Sequence, residues 1–549
     1  MGNRAFLRIP PFPGHRGQPL AVPARAEWGA GEDPAQLVRA LREARVGGTF
    51  WGMACSLPAG RDIVLAPDTQ EQARFLLDQA NQQGNFRRVV LVGPFASADG
   101  VPVVSRLCDP WSLAEHAKEL RVGAGNELAL VGMLCAKPVT VVGEGRFAAL
   151  RHAPLEECVA GELVRNWAWR DPFTGALAPA SQTIELLADW RRLIDANRDA
   201  KAVYGIALWK RVTMNTLLWD GSGPVRYARR GDARTGRLVA DDAVLAWKTR
   251  AAPQLSAELG SRGVTVGEIE DGMIRSTGLG ANCVPPLSVI VDFCGAHFDP
   301  AQPSGLERIL QHDEISLSLL ERASALRHRL VRTGISKYGI DPAAVVRPEH
   351  QCRRVLVTGQ VEDDRSMLTG GAGCSNLDAV RRAREIEPDA WIIYKPHPDV
   401  EAGHRKGAIP DDEVLRFANE VERKAPVAGL LDSVDAVHVI TSLTGFEALM
   451  REKEVVTHGV PFYAGWGLTR DLGPVPARRT RRRSLDELVA ATLILYPRYI
   501  DPVTRLPCPV EVLVERMAQG EAKISSPLVR IREAQGRLNV AFQNLRRQL

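Results

Sequence analysis

The stretch Ala436 to Met450, AVHVITSLTGFEALM, carries the reading of the fold. Its first part is apolar and β-branched, its middle is a run of Thr, Ser and Gly, and its last part has the apolar spacing of a helix. A strand without polar alternation is buried on both faces, which fits a parallel sheet covered by helices. The same rhythm recurs upstream. AWIIYKPHP (from Ala390) and RVLVTGQ (from Arg354) are apolar strands that stop in polar loops. SVIVD (from Ser288) reads as a buried strand, and VTVGEIEDG (from Val264) as a β-rich run ending in an acidic turn. In such folds ligands bind past the carboxyl ends of strands, and each polar cluster here falls at such an end.

Four clusters have the residue types for chemistry. Glu270, Asp271 and Gly272 put two carboxylates beside a tight turn, where crowding and burial raise one pKa and make a general acid or base. Arg275, just beyond, has the geometry to hold a carboxylate ligand. Acidic turns are also common as plain solvated features. Gln360 to Ser366, QVEDDRS, follows a strand with Glu362, Asp363 and Asp364 in a row; catalysis, metal binding and a solvated turn all suit it. Lys395, Pro396, His397 and Pro398 make a stiff loop; Lys and His there are either two donors for a departing phosphate or, for the histidine, an ordinary structural residue of a turn. Thr441, Ser442, Thr444 and Gly445 lead into a helix. Free N–H groups there serve an anion or an ordinary Ser/Thr cap with Glu447 closing a capping box. PFYAGWGLT (from Pro461) brings Tyr463 and Trp466 into a Gly-laced stretch suited to stacking on a sugar or base. No Walker A loop, GxSxG or HExxH is present.

The bulk properties narrow the field. A length of 549 residues suits three or four domain-sized units. A net charge of +5 gives no reason to expect a nucleic-acid partner. Nine scattered cysteines without a CxxC pair fit a reducing compartment and argue against a zinc site. MGNRAFLRIPPFPG at the start lacks the apolar core of a signal peptide. No apolar run approaches the ~18 residues of a membrane span. A cytoplasmic protein is expected, with peripheral contact at the inner membrane as the one addition. Arg478, Arg479, Arg481, Arg482 and Arg483 crowd one segment; this is either a solvated face or a dock for anionic lipid or glycan.

A repeat is visible. WRDPFTGALAP (from Trp169) resembles YIDPVTRLPCP (from Tyr499), about 330 residues further on, and GNELALVG (from Gly125) resembles GFEALMRE (from Gly445). The first copy lacks KPHP and EDG. Residues 1–195 therefore read as a partial, degenerate module with one Rossmann-like domain, the alternative being chance likeness between two α/β segments. The family resemblance of the motifs that follow implies a catalytic module whose first Rossmann domain is residues 196–350 and whose second is 351–500, with 501–549 a helical tail.

In this order, EDGMIRSTGLG, PLSVIVD, PSGLERIL, GQVEDDRS, KPHPDV, TSLTGFEAL and PFYAGWGLTRD resemble the capsule-polysaccharide β-Kdo transferases, over about Lys201 to Pro509. That family is in turn similar to bacterial CMP-sialyltransferases. The resemblance implies an α/β, GT-B-like pair of Rossmann domains and a retaining transfer of Kdo from CMP-Kdo to a lipid-linked or glycan acceptor. It implies no metal and no cofactor beyond the CMP-sugar donor. The partners it implies are an anionic glycolipid or glycan acceptor and the capsule assembly and export machinery. By the family pattern Asp364 is the nucleophile, with Asp363 close enough to compete, and Glu270 or Asp271 is the acid/base. Lys395, His397, Pro398, Ser442, Thr444, Gly445 and Gln360 hold the donor. Arg275, Tyr463 and Trp466 meet the sugar carboxylate or the acceptor. Two departures stand out: Cys294-Gly295-Ala296-His297-Phe298 is less aromatic than the family pattern, and Arg470 replaces a small or acidic residue. The competing readings are another CMP-nonulosonate transferase, a metal-dependent phosphoryl enzyme using the acidic run, and a non-catalytic scaffold in capsule assembly.

Overall fold

Arg354–Thr358 is the central strand of a six-stranded, all-parallel sheet, and its five residues are buried. The sheet runs Glu420–Val421, Trp391–Lys395, Arg354–Thr358, Ala436–Val439, Glu454–Thr457, Arg470–Asp471. Numbered along the chain this is the doubly wound order 3-2-1-4-5-6, whose direction reverses between Arg354–Thr358 and Ala436–Val439. The helix Asn376–Ile386 starts at a capping box made by Ser375 and Asp378. It lays Ala379, Val380 and Ala383 on Val355, Val357, Ile392 and Tyr394. This is the covered, two-faced burial that the unbroken apolar strands predict.

The computed structural model describes residues 4–24, 31–95, 100–251, 253–277, 283–337, 339–340, 352–403, 405–522 and 524. The chain divides into two units. Unit 1 comprises Met1–Asp199, Met214–Val225 and Val503–Leu506; unit 2 comprises Ala200–Thr213, Arg226–Pro502 and Pro507–Leu549. Unit 2 holds the six-stranded sheet and a seven-stranded one. The latter runs Tyr227–Ala228, Ala200–Tyr204, Ala243–Ala246, Thr265–Asp271, Ser288–Asp292, Arg498–Ile500, Pro507–Cys508. Its first four strands are parallel and the rest antiparallel. The link from Asp271 to Ser288 carries no helix among the described residues. A parallel return needs a long crossover, so Ser288–Asp292 comes back alongside its neighbour. This corrects the purely parallel reading of SVIVD. It also moves a boundary: the hairpin from Arg498 to Cys508 completes the first sheet, so a cut at 500 passes through it. Of the expected tail, Val510–Ala518 is a helix, and 525–549 lie outside the described residues.

Unit 1 has a five-stranded parallel sheet in the order Val103–Val104, Val89–Val92, Ile63–Ala66, Glu119–Gly123, Val139–Val142. In chain order this is 3-2-1-4-5. It also has a three-stranded antiparallel sheet of Ala21–Pro23, Trp167–Arg170 and Leu177–Ala178. The two repeat segments share a succession of elements: an α-helix passing into a π-helix, a short hairpin, then a helix. In one, Trp169 Nε1 donates to the Leu163 carbonyl at 2.6 Å; in the other, Tyr499 Oη donates to that of Leu493 at 2.7 Å.

Two arginines of the arginine-rich segment, Arg479 and Arg483, are buried. Arg479 Nε donates to Glu307 at 2.9 Å, and its Nη1 donates to the carbonyls of Pro461 and Ala464 at 3.0 and 2.8 Å. Arg483 donates to the carbonyls of Leu310 and Asp313 at 2.6 and 2.7 Å. Arg478 pairs with Glu307 and Arg481 with Glu314. These contacts tie the segment to the helix Gly305–His312 and its end, while Arg482 stays exposed. Because Glu307 is the buried counter-ion of Arg479, Glu307→Ala strands a buried guanidinium. A loss of about 3–5 kcal/mol of unfolding free energy is expected, read from urea melts at pH 7.

Candidate functional site

The carboxyl end of Thr265–Asp271 brings three acids together. Glu268 and Glu270, two residues apart, share one face of the strand, and Arg365 from the second lobe pairs with both. Its Nη1 donates to Glu270 Oε1 at 2.8 Å and to Glu268. The same guanidinium lies over the Phe298 ring, 4.8 Å from its centroid. Lys248 Nζ reaches Glu268 at 2.9 Å. Burial pushes Glu270 up to about 8, with the Glu268 charge adding to the effect. Burial acts on Glu268 too, but Arg365 and Lys248 outweigh it and hold that carboxyl below its ordinary value. Glu270 therefore keeps its proton at neutral pH while its neighbour is ionised.

Asp271 takes a different course. It pairs with Arg275 Nε at 3.0 Å and lies 3.6 Å from Lys210 Nζ. Gly272 is obligatory at the turn that follows, since a Cβ there would meet Ser288 Oγ at 2.1 Å. Gly278, Leu279 and Gly280, the end of the EDG motif, lie outside the described residues.

On the second lobe the three acids of QVEDD go to three places. Glu362 accepts from Asn376 N at 2.9 Å, and Asp363 accepts from Arg405 at 3.1 Å. Asp364, exposed, caps the helix Arg365–Gly370, accepting from Ser366 N and Oγ at 3.2 and 2.8 Å. Among the described residues no group of three or more His, Cys, Asp or Glu side chains is arranged to hold a metal. His397 caps the short helix Pro398–Glu401, its Nδ1 accepting from Asp399 N at 3.1 Å. That bond leaves the proton on Nε2, and burial lowers the ring's pKa although the Asp364 charge opposes it. Asp364 and His397 thus lie within electrostatic reach at neighbouring strand ends, and Arg365 carries the chain from there to Glu270.

The remaining expected residues divide. Lys395 ends its strand nearly buried, with Nζ 3.5 Å from the Arg423 carbonyl. Ser442 caps Leu443–Met450 through Thr444 N at 3.2 Å and donates to Thr444 Oγ1 at 3.0 Å. No capping box forms there, because Gly445 rather than Glu447 occupies the third helical position. Gln360 is spent on structure: it exchanges two hydrogen bonds with Thr441, at 3.0 and 2.7 Å, and clips the two strands together at the switch point. Tyr463 and Trp466 require a correction. Both are wholly buried; Tyr463 Oη donates to the Ser442 carbonyl and Trp466 Nε1 to that of Phe462. They frame the site and present no face to a sugar. Gly445 belongs to the same packing, since a Cβ there would sit 2.2 Å from Tyr463 Oη. Arg275 needs a similar correction. At 1% exposure it donates to Ser276 Oγ and to the Val284 carbonyl besides pairing with Asp271, so its fork is used within the fold.

Glu268, Arg365, Lys248 and Lys210 were not singled out in the sequence. Arg365 stood inside a quoted motif, but its partners are 97 and 95 residues away. Phe298 and His297, in the segment poorer in aromatics, belong to an edge-on ring cluster with Phe462 and Tyr496.

Two Rossmann lobes that meet at their strand ends through Arg365 define a GT-B-type glycosyltransferase fold for unit 2. A family model described as capsule polysaccharide biosynthesis protein matches residues 315–499. The capsule polysaccharide modification protein LipA of Neisseria meningitidis serogroup A is 37% identical over 418 residues, 72% of this chain and 59% of that protein. The lipopolysaccharide-processing protein LpsZ of Rhizobium meliloti is 48% identical over 236 residues, 42% of this chain and 53% of that protein. The chain therefore spans less than two thirds of the length of these curated relatives. The solved structure of Thermosulfurimonas dismutans KpsC, beta Kdo 2,4 transferase, is 31% identical with a TM-score of 0.50, covering 58% of this chain and 98% of that one. The chain belongs to the capsule polysaccharide biosynthesis family that contains this Kdo transferase. Among the described residues no helix is long and apolar enough to cross a membrane.

Proposed function

We propose that unit 2 transfers Kdo, with retention of configuration, from CMP-Kdo to a lipid-linked or glycan acceptor in capsule assembly, without a metal. The observation that carries this reading is the Arg365 bridge. It sets a proton-bearing Glu270 on one lobe against Asp364 and His397 on the other, at the switch point where a doubly wound sheet binds nucleotides. In the proposed reaction the Asp364 carboxylate attacks the anomeric carbon, and the bond to the CMP phosphate breaks with its electrons going to phosphate. Glu270 supplies a proton to the leaving oxygen, while His397 Nε2–H, Lys395 and the N–H groups ahead of Leu443–Met450 take up its charge. The acceptor hydroxyl then attacks the glycosyl ester and returns its proton to Glu270. Unit 1, with its Rossmann-type strand order, is proposed as a partial module without catalysis of its own.

The test is CMP release by the purified full chain with CMP-Kdo and a Kdo-terminated acceptor. His397→Ala is expected to lower kcat by roughly 10²-fold with the fold intact, as loss of one preorganised donor does. A chelator leaves the rate unchanged on this reading. Turnover of CMP-sialic acid but not CMP-Kdo would change the donor, and turnover of neither by folded protein would favour a scaffold.

A further inference from the structure

Lys210 is a charged group that none of the preceding chemistry uses. It lies just past the strand Ala200–Tyr204, at the same end of the first sheet as Glu270 and Asp271. Its side chain is 7% exposed, and its Nζ sits over the face of Trp247, 2.9 Å from the ring centroid, and 5.2 Å from that of Trp209. Its one ion-pair partner among the described residues is Asp271, at 3.6 Å, beyond hydrogen-bonding distance. Asp271 is already met by Arg275 at 3.0 Å, and its Oδ1 has no hydrogen-bond partner. Glu270, the other acid whose charge would act on Lys210, is pushed up to about 8 by burial.

Lys210 and Arg275 thus share the Asp271 carboxylate, and the Lys210 ammonium, held 3.6 Å from it, keeps unused donors. A buried charge is costly unless paired, and burial accordingly pushes the Lys210 pKa down to about 8 despite Asp271. The Asp271 side chain beside it is 26% exposed, although its Oδ1, the oxygen nearest Lys210, is itself buried. An arriving anion would complete the ammonium's shell.

We propose that Lys210, seated on Trp247 and flanked by Asp271, is the subsite for the carboxylate of an acidic sugar. The identity of the sugar rests on the transferase reading above; the subsite rests on the unmet ammonium. Both a donor and an acceptor sugar can supply such a carboxylate, and the two are separable by titration. The experiment is calorimetric titration of the full chain with Kdo and with its neutral methyl ester. Wild type is expected to bind the acid at least about tenfold more tightly, the worth of a charge-assisted contact. Lys210→Met, whose apolar chain keeps the packing on Trp247, is expected to lose that preference, and Lys210→Arg to keep part of it, with melting curves confirming the fold of both. Parallel titrations assign the source. A donor-side subsite loses discrimination between CMP-Kdo and CMP in Lys210→Met; an acceptor-side subsite loses it between a Kdo-terminated acceptor and its ester. Equal binding of acid and ester by wild type, or an acid preference retained in Lys210→Met, overturns the proposal. Because binding needs no turnover, acid-selective binding without transfer would count against the transferase alone.

Discussion

Asp364→Asn is expected to leave a folded protein whose transfer rate is lower by roughly 10⁴-fold or more, the scale on which enzymes lose activity with their nucleophile. The substitution is clean because the native side chain also caps the helix Arg365–Gly370. Asn caps a helix about as well as Asp, so Ser366 keeps its partner while the carboxylate disappears. Asp363 is the internal comparison: its carboxylate pairs with Arg405 at 3.1 Å, and Asp363→Asn should cost far less. Intact-protein mass spectrometry with CMP-Kdo and no acceptor gives the second reading. Wild type should show a Kdo-sized adduct that Asp364→Asn lacks. An adduct that persists in Asp364→Asn and vanishes in Asp363→Asn would reassign the nucleophile.

Glu270→Gln should lower kcat by roughly 10²–10⁴-fold, the usual contribution of a general acid–base group, and should also change two pH profiles. With its folded value pushed up to about 8, Glu270 begins the cycle protonated, so kcat/KM for the donor should fall as pH rises through that value. Glu268→Gln should shift this limb to lower pH, because the Glu268 charge helps retain the proton; Arg365, Asp271 and Lys210 are the other charges facing it. Stability follows the same proton. Between the ordinary value of 4.5 and about 8 the folded chain holds a proton that the unfolded chain has released. This contribution is therefore present below 4.5 and is lost as pH rises to about 8. Thermal melts across that window should slope downward in wild type and less so in Glu270→Gln. Equal slopes would mean that Glu270 ionises normally.

The doubly wound sheet and the placement of QVEDD, KPHP and TSLTG at its strand ends were legible because both are local. Unbroken apolar runs specify two-sided burial, and Gly, Pro and Ser/Thr mark where a strand stops. Tyr463 and Trp466 misled for the same reason: an aromatic, Gly-laced run looks alike whether its rings face solvent or the core. The Gly445 approach to Tyr463 is what settles it. The arginine run is a parallel case. Five like charges in one segment suggest a surface, yet Glu307, 172 residues away from Arg479, draws that guanidinium inside.

Strand periodicity, turn chemistry and the order of the motifs are properties of neighbouring residues, and they carried the α/β class, the pair of lobes and the resemblance to Kdo transferases. Burial, charge compensation and protonation belong to neighbours in space. Only the folded chain could give Glu270 its proton through a buried strand end and the Glu268 charge, spend Gln360 and Arg275 on structure, bring Arg365 across 95 residues to meet Glu270, and leave Lys210 to share Asp271 with Arg275. The physical reason is that an ionisable group's free energy depends on the solvent it has lost and the charges it has met, and both are fixed by contacts that sequence distance does not encode.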